Sequence, residues 1–237
     1  MKALILAAGL GTRLAPITDE KPKCMTEVVD GKSIIQKQIE NLKENGINDI
    51  TVVTGYKTEL LVKYVTAWDS SIKFVESIDY KTTNNMYSAF LGKESVVDSE
   101  FIMMNADVFF DTSVLKTLLD FEAADAIVVD IGRYIEESMK VVEKNGKLVS
   151  ISKAIKPEEA LGSSIDVYKF SPEGGKAFFE KCNEYINDKK EFKLWSEVAL
   201  NDILSKCNFK ACPVVGRWFE IDNHDDLKAA RELFRSN

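Results

Sequence analysis

The residues best suited to chemistry in this sequence lie in a glycine-rich segment near its start. An apolar run, Leu4 to Ala8, predicts a buried strand, and Gly9 and Gly11 follow it directly. Glycines let the backbone approach an anion closely, and free N–H groups at the start of a helix point at that anion. Arg13 and Lys23, the latter expected to be exposed, would add two cationic donors. The segment is therefore a candidate phosphate-binding loop.

Neither of two common phosphate-binding motifs fits this loop. A P-loop would end in Gly-Lys-Ser/Thr, and no such triplet follows the glycines. The dinucleotide fingerprint needs a third glycine at the position where this chain has Leu14. On these residues alone, an ordinary strand-to-helix turn with surface charges is an equally good interpretation.

Three carboxylates are placed where a metal ion could bind. Asp107 follows an apolar strand predicted over 101–104, and the carboxyl ends of strands face the crevice in which α/β sheets bind ligands. Glu220 and Asp222 are two residues apart, so in a strand their side chains share one face. Oxygen ligands of this kind suit Mg²⁺. The alternatives are a helix cap for Asp107 and a solvated strand end for the other two.

Histidine and cysteine chemistry is not predicted. His224 is the single histidine, and it lies at the start of a predicted helix, so we interpret it as structural. Cys24 has no histidine near it in the sequence to form a nucleophilic pair. The four cysteines lack the paired spacing of zinc sites, and we expect free thiols in a reducing compartment.

Composition limits the class of protein. The 237 residues suit one domain, and an apolar content of 45% is ample for a core. A formal charge of −7 argues against a nucleic-acid polymer as partner, although a local cationic cluster can still bind a nucleotide. Without a signal peptide or a membrane-length apolar stretch, we expect a cytoplasmic protein that does not bind membranes.

The order of predicted elements indicates an α/β fold. Apolar strands alternate with amphipathic helices up to residue 131, which predicts a doubly wound, mostly parallel, Rossmann-like sheet. Asn145-Gly146 then predicts a β-hairpin, and we expect 134–210 to form a small hairpin and helical lid within a single domain, 1–237. Predicted strands are 4–8, 49–54, 72–75, 101–104, 126–131, 140–143, 147–152, 161–170, 209–215 and 217–221, the last two closing the sheet. Predicted helices are 33–45, 60–68, 86–96, 114–121, 172–186, 195–205 and 225–234.

The first 23 residues also carry a family resemblance. The run Leu6-Ala7-Ala8-Gly9-x-Gly11-Thr12-Arg13, followed by Lys21-Pro22-Lys23, resembles the signature of the sugar-phosphate nucleotidyltransferases. Within that family, the chain looks most similar to bacterial cytidylyltransferases that activate 2-aminoethylphosphonate or phosphocholine. The resemblance implies a GT-A-like nucleotidyltransferase fold, CTP as one substrate, Mg²⁺ as cofactor, and a monomer or homodimer.

The resemblance also implies roles for individual residues. The implied nucleotide contacts are Leu6, Ala8, Gly9, Gly11, Thr12, Arg13, Lys23, Asn85, Ser88 and Asp107. The implied metal ligands are Asp107, Glu220 and Asp222, and the implied catalytic residues are Lys23, Arg13 and Lys153. Lys153 would contact the acceptor phosphate, with Lys156 as its rival. Asn84 is as good a helix cap as a base contact.

The acceptor pocket is expected in the lid. Aromatic faces suit a quaternary ammonium group, whereas a carboxylate suits a primary one. Asp166 is polar within a predicted strand, which fits a ligand contact and favours 2-aminoethylphosphonate over phosphocholine by a modest margin. Candidate acceptor contacts are Lys153, Asp166, Tyr168, Trp195 and Trp218, with Tyr134 as a further aromatic.

The expected reaction is direct attack of the acceptor on the α-phosphorus, with no covalent enzyme intermediate. The acceptor is already ionised near neutral pH, so no general base is needed. Two other classes are compatible with a similar sheet: a regulatory module that binds a nucleotide without catalysis, and a hydrolase or kinase. The first would be expected to lose one of Lys23, Asp107 or Asp222, and the second would need a Walker lysine or a base.

Overall fold

The computed structural model describes residues 1–235, so the last two residues of the expected 1–237 domain lie outside the described part. The strands are β1 Lys2–Ala7, β2 Glu27–Val29, β3 Lys32–Ser33, β4 Asp49–Thr54, β5 Lys73–Glu76, β6 Phe101–Asn105, β7 Val108–Phe110, β8 Ala126–Ile131, β9 Lys140–Lys144, β10 Lys147–Ser152, β11 Gly162–Phe170, β12 Lys210–Pro213 and β13 Trp218–Glu220. The helices are α1 Ile17–Glu20, α2 Ile34–Glu44, α3 Thr58–Thr66, α4 Asn85–Gly92, α5 Thr112–Asp120, α6 Pro172–Asn183, α7 Ser196–Leu204 and α8 His224–Phe234.

Nine strands form the central sheet. Its main path runs β12-β8-β11-β6-β1-β4-β5, and the β9-β10 hairpin joins the first half of β11. Strands β6, β1, β4 and β5 pair in parallel, as do β8 and β12. Strands β10 and β11 run against the other strands of this sheet, because all their pairings are antiparallel. The predicted α/β fold with a mostly parallel sheet is confirmed.

Strand β1 lies inside the sheet, between β6 and β4, and both of its faces are apolar. Ala3 and Ile5 point to one core, which α2, α3 and α5 cover, and Leu4 and Leu6 point to a second core under α4, α6 and α7. Successive side chains of a strand point to opposite faces, so an unbroken apolar run is stable only between two layers. The glycine loop therefore leaves a strand that is fixed on both sides.

The expectation that both 209–215 and 217–221 close the central sheet is wrong for the second segment. Strand β12 does join the sheet, beside β8, but β13 pairs with β7 in a separate two-stranded sheet. The physical reason is a third core, in which Phe109 of β7 and Ile221 pack against Leu227 and Phe234 of α8. This core draws β13 away from the sheet edge.

Strand β11 is irregular in its middle, and that irregularity shapes the cleft described below. Its pairing with β8 shifts register between Ser164 and Tyr168. Asp166, inside the shift, has a φ of +58°, a left-handed conformation that non-glycine residues seldom adopt. Its backbone N–H donates to the Ser164 hydroxyl at 3.1 Å. Bulges of this kind re-aim side chains, and Asp166 lines the cleft.

Helix α6 begins against a buried carboxylate. Asp125 accepts hydrogen bonds from the backbone N–H of Ser171 at 2.7 Å and from the Ser171 hydroxyl at 3.0 Å. The same hydroxyl accepts from the N–H of Gly174 in the first turn. A Cβ on Gly174 would lie 2.1 Å from the Asp125 Oδ1. The glycine is therefore required by the close approach of the carboxylate.

We expect Gly174→Ala to lower the free energy of unfolding by about 1–3 kcal/mol, because the added methyl group overpacks this contact. Glycine-to-alanine changes in a helix otherwise gain about 0.5–1 kcal/mol. Urea denaturation measures the difference. Lys176→Ala, at an exposed position of α6, is the control and should stay within about 0.5 kcal/mol of the parent. A Gly174→Ala protein as stable as the parent would contradict this account.

Candidate active site

A cleft of about 370 Å³ opens at the carboxyl ends of β1 and β6. This volume falls in the range of small-molecule sites. The cleft is lined by all but two of the predicted site residues: Leu6, Ala8, Gly9, Gly11, Thr12, Arg13, Lys23, Asn85, Ser88, Asp107, Lys153, Asp166, Trp195, Glu220 and Asp222. The fold therefore brings the predicted nucleotide, metal and acceptor residues to one place.

The glycine loop is shaped by the lysine that crosses it. Gly11 has a φ of +63°, and a Cβ there would lie 2.8 Å from the Cβ of Lys23. Its carbonyl accepts from the Thr18 hydroxyl at 3.0 Å. The loop continues into a single 3-10 turn, Thr12–Leu14, and not into a regular helix as expected. Any anion held here would meet loop N–H groups and side-chain cations, without the dipole of a long helix.

Lys23 lies in the middle of the site, between two carboxylates. Its Nζ is 2.7 Å from Asp222 Oδ1 and 3.1 Å from Asp107 Oδ2. Only 13% of its side chain is exposed, so the expectation of an exposed lysine is wrong. Burial lowers the pKa of this amine, but the charges of Asp107 and Asp222 outweigh burial and raise the pKa above its ordinary value. Lys23 is therefore firmly cationic.

Arg13 adds a second cation at the mouth of the cleft. Its guanidinium lies 2.9 Å from Asp222 Oδ1, and the side chain is 60% exposed. Although burial raises the pKa of Asp222, the charges of Lys23 and Arg13 outweigh burial and lower it below its usual range. Asp222 is thus ionised and shared between two cations.

Asp107, Glu220 and Asp222 can hold one metal ion between them. Each offers a carboxylate oxygen within 4.8 Å of the others. The two strands that carry them are held together by the pairing of β7 with β13 and by the Ile221 N–H, which donates to the Asp107 carbonyl at 2.9 Å. Asp107 Oδ1 is buried without a hydrogen-bond partner. A buried orphan oxygen is costly unless a ligand satisfies it, so these residues fit a hard divalent cation.

The Glu220 carboxyl group has a raised pKa. Burial and the charges of Asp107 and Asp222 raise its pKa to about 7. Its Oε2 accepts a hydrogen bond from the Ser138 hydroxyl at 3.1 Å. Ser138 belongs to the loop between β8 and β9, which sequence reasoning did not connect with this site, since no local pattern places that loop over the acidic group.

The predicted base-reading loop makes mostly internal contacts. The Asn84 side chain caps α4, where it accepts a hydrogen bond from the Asn85 N–H at 2.8 Å. Of the two roles predicted for Asn84, a helix cap or a base contact, this is the helix cap. The Asn85 side chain accepts from the Ser196 N–H at 2.8 Å and donates to Asn105 at 3.4 Å. Ser88 lines the cleft but is 4% exposed. Asn85 therefore links the first turn of α4 to β6 and α7.

The far side of the cleft contains a buried pair of acids around one phenol. The Tyr168 hydroxyl lies 2.9 Å from Asp166 Oδ1 and 2.8 Å from Glu197 Oε1. One O–H has a single proton to donate, so one of these two contacts needs a proton from a carboxyl group. Burial, and then the charge of Glu197, raises the pKa of Asp166 well above its usual range. The pair therefore carries less than two negative charges in the free protein.

Glu197 is a cleft residue that sequence reasoning missed. It is 2% exposed, lines the cleft, and its Oε2 has no hydrogen-bond partner. Burial raises its pKa. The only signal in the sequence is a glutamate two residues after Trp195, which is ordinary in the first turn of a helix. Further lining residues that were missed are Tyr80, Thr83, Asn105, Glu137, Ser138 and Met139.

The structure places Tyr168 and Trp218 away from the cleft surface, which differs from their predicted role as acceptor contacts. Tyr168 is 1% exposed and reaches the cleft only through its bonds to the two acids. Trp218 is 4% exposed, and its indole N–H donates to Asp130 at 2.9 Å. Both strands turn these rings inward because the rings fill apolar cores.

Lys153 and Trp195 meet at the rim of the cleft. The Lys153 Nζ lies 5.0 Å from the centre of the Trp195 ring, within the range of a cation–π contact. Trp195 is 44% exposed. Lys156, the rival of Lys153, is exposed and does not line the cleft, and neither does Tyr134. Of the two lysines, Lys153 is thus the one that lines the cleft.

Neither Cys24 nor His224 offers nucleophilic chemistry. Cys24 lines the cleft, but burial raises the pKa of its thiol to about 12. His224 contacts the Ala15 carbonyl through Nε2 at 2.7 Å and does not line the cleft. Both observations agree with the interpretation of these residues as structural.

Comparisons with known proteins show which family this chain belongs to. The profile of the nucleotidyl transferase family matches residues 2–232. The CTP:phosphoglutamine cytidylyltransferase of Campylobacter jejuni is 31% identical over 98% of this chain and 100% of its own length. The choline-phosphate cytidylyltransferase of Streptococcus pneumoniae is 45% identical, over 43% of each chain. The chain belongs to the nucleotidyl transferase family, and its fold is that of a nucleotidyltransferase.

Solved structures share the fold over the full length. The CTP:phosphocholine cytidylyltransferase of Streptococcus pneumoniae superposes with a TM-score of 0.82 at 24% identity, covering 99% of both chains. The inositol-1-phosphate CTP transferase of T. maritima superposes with a TM-score of 0.78 at 20% identity, covering 100% of this chain and 98% of the other. Among residues 1–235, no helix has both the length and the apolar character that crossing a membrane demands.

The position of Lys23 predicts a change in metal affinity. Its ammonium lies among the oxygens that would bind a divalent ion, so the two cations compete. We expect Lys23→Met to bind Mn²⁺ about tenfold more tightly or better in the absence of nucleotide, since it removes one opposing charge. Calorimetric titration measures the affinity.

Lys156→Met is the matched control for that titration, because Lys156 is exposed and does not line the cleft. Its Mn²⁺ affinity should stay near that of the parent. Equal affinity in the Lys23→Met and parent proteins would mean that the ion does not bind among these three carboxylates.

Proposed function

We propose that this protein is a cytidylyltransferase that transfers CMP from CTP to 2-aminoethylphosphonate and releases pyrophosphate. The observation that carries the proposal is the meeting, in one cleft, of the glycine loop, Lys23, the three carboxylates and a separate acidic pocket. The use of CTP is supported by two relatives whose names specify cytidylyl transfer, one of them similar over its whole length.

The nucleotide would lie across the glycine loop. Gly9, Gly11 and Thr12 line the cleft, and Arg13 and Lys23 provide positive charge for the triphosphate. Ala8 and Gly9 would line the base. When a phosphate takes over the contacts of Lys23, Asp107 and Asp222 become free for another cation. The residues that bind the nucleotide and those that bind a metal are therefore coupled through one lysine.

The divalent metal that this family generally uses would be Mg²⁺ here, held by Asp107, Glu220 and Asp222, where it would neutralise charge on the α-phosphate. The protein's own residues position the reactants. An oxygen of the acceptor phosphonate forms a bond to the α-phosphorus, and the bond from that phosphorus to the β-phosphate oxygen breaks. Lys153 orients the attacking anion, and Arg13 faces the departing pyrophosphate. The attacking oxygen is already ionised, so no residue needs to accept a proton.

The acceptor's amine is the finer part of the proposal. Asp166 and the orphan oxygen of Glu197 offer acceptors for the three N–H donors of a primary ammonium group. A quaternary ammonium has no such donors and is best held by several aromatic faces. Trp218 is buried in the core, so of the predicted aromatic contacts Trp195 is the one that lines the cleft. These observations favour 2-aminoethylphosphonate over phosphocholine.

Pyrophosphate release measures the reaction directly. We expect release with CTP and 2-aminoethylphosphonate, slower release with phosphocholine or phosphoglutamine, and little with UTP. Asp107→Asn is expected to lower kcat by about 10²–10³, the usual cost of removing one charge contact to the transition state. Release with CTP and a different acceptor would overturn only the choice of acceptor. No release with any nucleotide and acceptor would instead favour a non-catalytic nucleotide-binding module.

A second variant tests the amine pocket. Asp166→Asn keeps the shape of the side chain but removes the carboxyl group that would ionise beside a bound ammonium group, so we expect kcat/KM for 2-aminoethylphosphonate to fall by roughly 10- to 150-fold, which is about 1.5–3 kcal/mol for a charged hydrogen bond. KM for CTP should not change. Glu94→Gln, at a side chain that is 86% exposed, controls for a change of net charge. Equal kcat/KM in the parent and Asp166→Asn proteins would remove Asp166 from the acceptor site.

A further inference from the structure

The segment between β8 and β9, residues 132–139, forms one edge of the cleft and is called here the β8–β9 loop. Glu137, Ser138 and Met139 all line the cleft, and the Ser138 hydroxyl donates to Glu220 at 3.1 Å. The loop has no regular secondary structure of its own. At its last turn the Ser138 N–H donates to the Ile135 carbonyl at 3.2 Å, and the Ser164 N–H of β11 donates to the Met139 carbonyl at 2.7 Å. A side chain adds further hydrogen bonds to this turn.

A buried lysine lies directly behind this loop. Lys140, the first residue of β9, is 4% exposed. Its Nζ donates to three backbone carbonyls of the loop: Glu136 at 3.0 Å, Ser138 at 3.3 Å and Ile135 at 3.4 Å. An ammonium group has three N–H donors, so all of them are used on the loop. The loop thus surrounds the ammonium group with carbonyl oxygens.

The cost of burying this charge indicates its role. Among residues 1–235, no carboxylate forms an ion pair with Lys140. Burying an ammonium group without a counter-charge is unfavourable unless hydrogen bonds compensate for the lost water. Its neighbours Met139 and Val141 are buried in an apolar core, and Lys140, between them in the chain, points to the other face, where its ammonium group meets the loop carbonyls. The contribution of Lys140 is therefore to fix the conformation of the loop through these three hydrogen bonds.

Two further contacts fix the beginning of the loop. The Ser163 hydroxyl of β11 donates to the Arg133 carbonyl at 3.0 Å and accepts from the Ile135 N–H at 3.1 Å. The Arg133 guanidinium lies 5.2 Å from the centre of the Trp218 ring. These contacts hold residues 133–135, whereas Lys140 holds the turn that carries Ser138. The two anchors meet at Ile135 and otherwise act on different halves of the loop.

We propose that Lys140 is a positioning residue, which holds the β8–β9 loop so that Ser138 bonds Glu220 and the acceptor side of the cleft keeps its shape. Lys140 acts through the loop and touches no substrate. The part of this proposal that concerns the acceptor rests on the proposed function, whereas the part that concerns the loop does not. The two parts are therefore tested by separate measurements.

Hydrogen exchange of the substrate-free protein tests the loop. In Lys140→Met, which is uncharged and similar in length, we expect amides of 134–139 to exchange about tenfold faster or more, while those of β1 and β4 keep their rates. Lys144→Met, at an exposed position of the same strand, is the control. Unchanged exchange in 134–139 would overturn the proposal, whether or not the protein is a cytidylyltransferase.

Kinetics test the link to the acceptor. We expect KM for the acceptor to rise about fivefold or more in Lys140→Met, with KM for CTP within about twofold, because the loop borders one side of the cleft. Ser138→Ala should raise the acceptor KM by less than Lys140→Met does, without faster amide exchange in the loop. In the double variant, the increase in the free-energy cost should be smaller than the sum of those in the two single variants. Faster exchange with an unchanged acceptor KM would overturn the link to the site.

A Lys140→Met protein that does not fold would still leave a test. Ser163→Ala removes the hydroxyl group that anchors the beginning of the loop, which is a smaller change than the loss of Lys140. In this variant the amides of 133–135 should exchange faster, and by more than those of 136–139. Lys140→Gln keeps a hydrogen-bond donor, so it should lie between the parent and Lys140→Met in exchange rate if it folds. Exchange spread evenly over the loop in Ser163→Ala would contradict separate anchoring of its two halves.

Discussion

The site depends on keeping three carboxylates close together in a partly buried place. Asp107, Glu220 and Asp222 approach within 4.8 Å, and like charges at such a distance repel strongly unless a cation or a proton compensates. In the free protein Lys23 and Arg13 supply the cations, and the raised pKa of Glu220, about 7, reduces the charge further. A nucleotide and a metal ion would rearrange this balance together.

The separate two-stranded sheet of β7 and β13 keeps these three carboxylates close together. The carboxylates come from chain segments more than one hundred residues apart, and the pairing of β7 with β13 joins those segments. A separate apolar core under α8 stabilises the pairing. Had β13 joined the edge of the central sheet, Glu220 and Asp222 would lie far from Asp107, and no shared metal site would exist.

The two sides of the cleft are joined by hydrogen bonds as well as by charge. Asn85, at the start of α4, donates to Asn105 at 3.4 Å, and Asn105 in turn donates to Asp166 at 2.9 Å. The bulge in β11 turns Asp166 toward this chain of contacts. Relatives with the same fold are named for phosphoglutamine, phosphocholine and inositol phosphate. The choice of acceptor therefore depends on side chains and not on the fold.

The sequence by itself determined the α/β alternation, the glycine loop, and Lys23, Asp107 and Asp222 as the centre of the site, because short-range patterns carry these features: an apolar run, two glycines, a carboxylate at a strand end. The hairpin at Asn145-Gly146 was predictable for the same reason. Only the tertiary structure decided that Lys23 is largely buried, that Trp218 faces a core, that Glu197 and Ser138 line the cleft, and that Lys140 lies buried behind the β8–β9 loop. These outcomes depend on which distant segments pack together, and short sequence patterns of about ten residues carry no information about that packing.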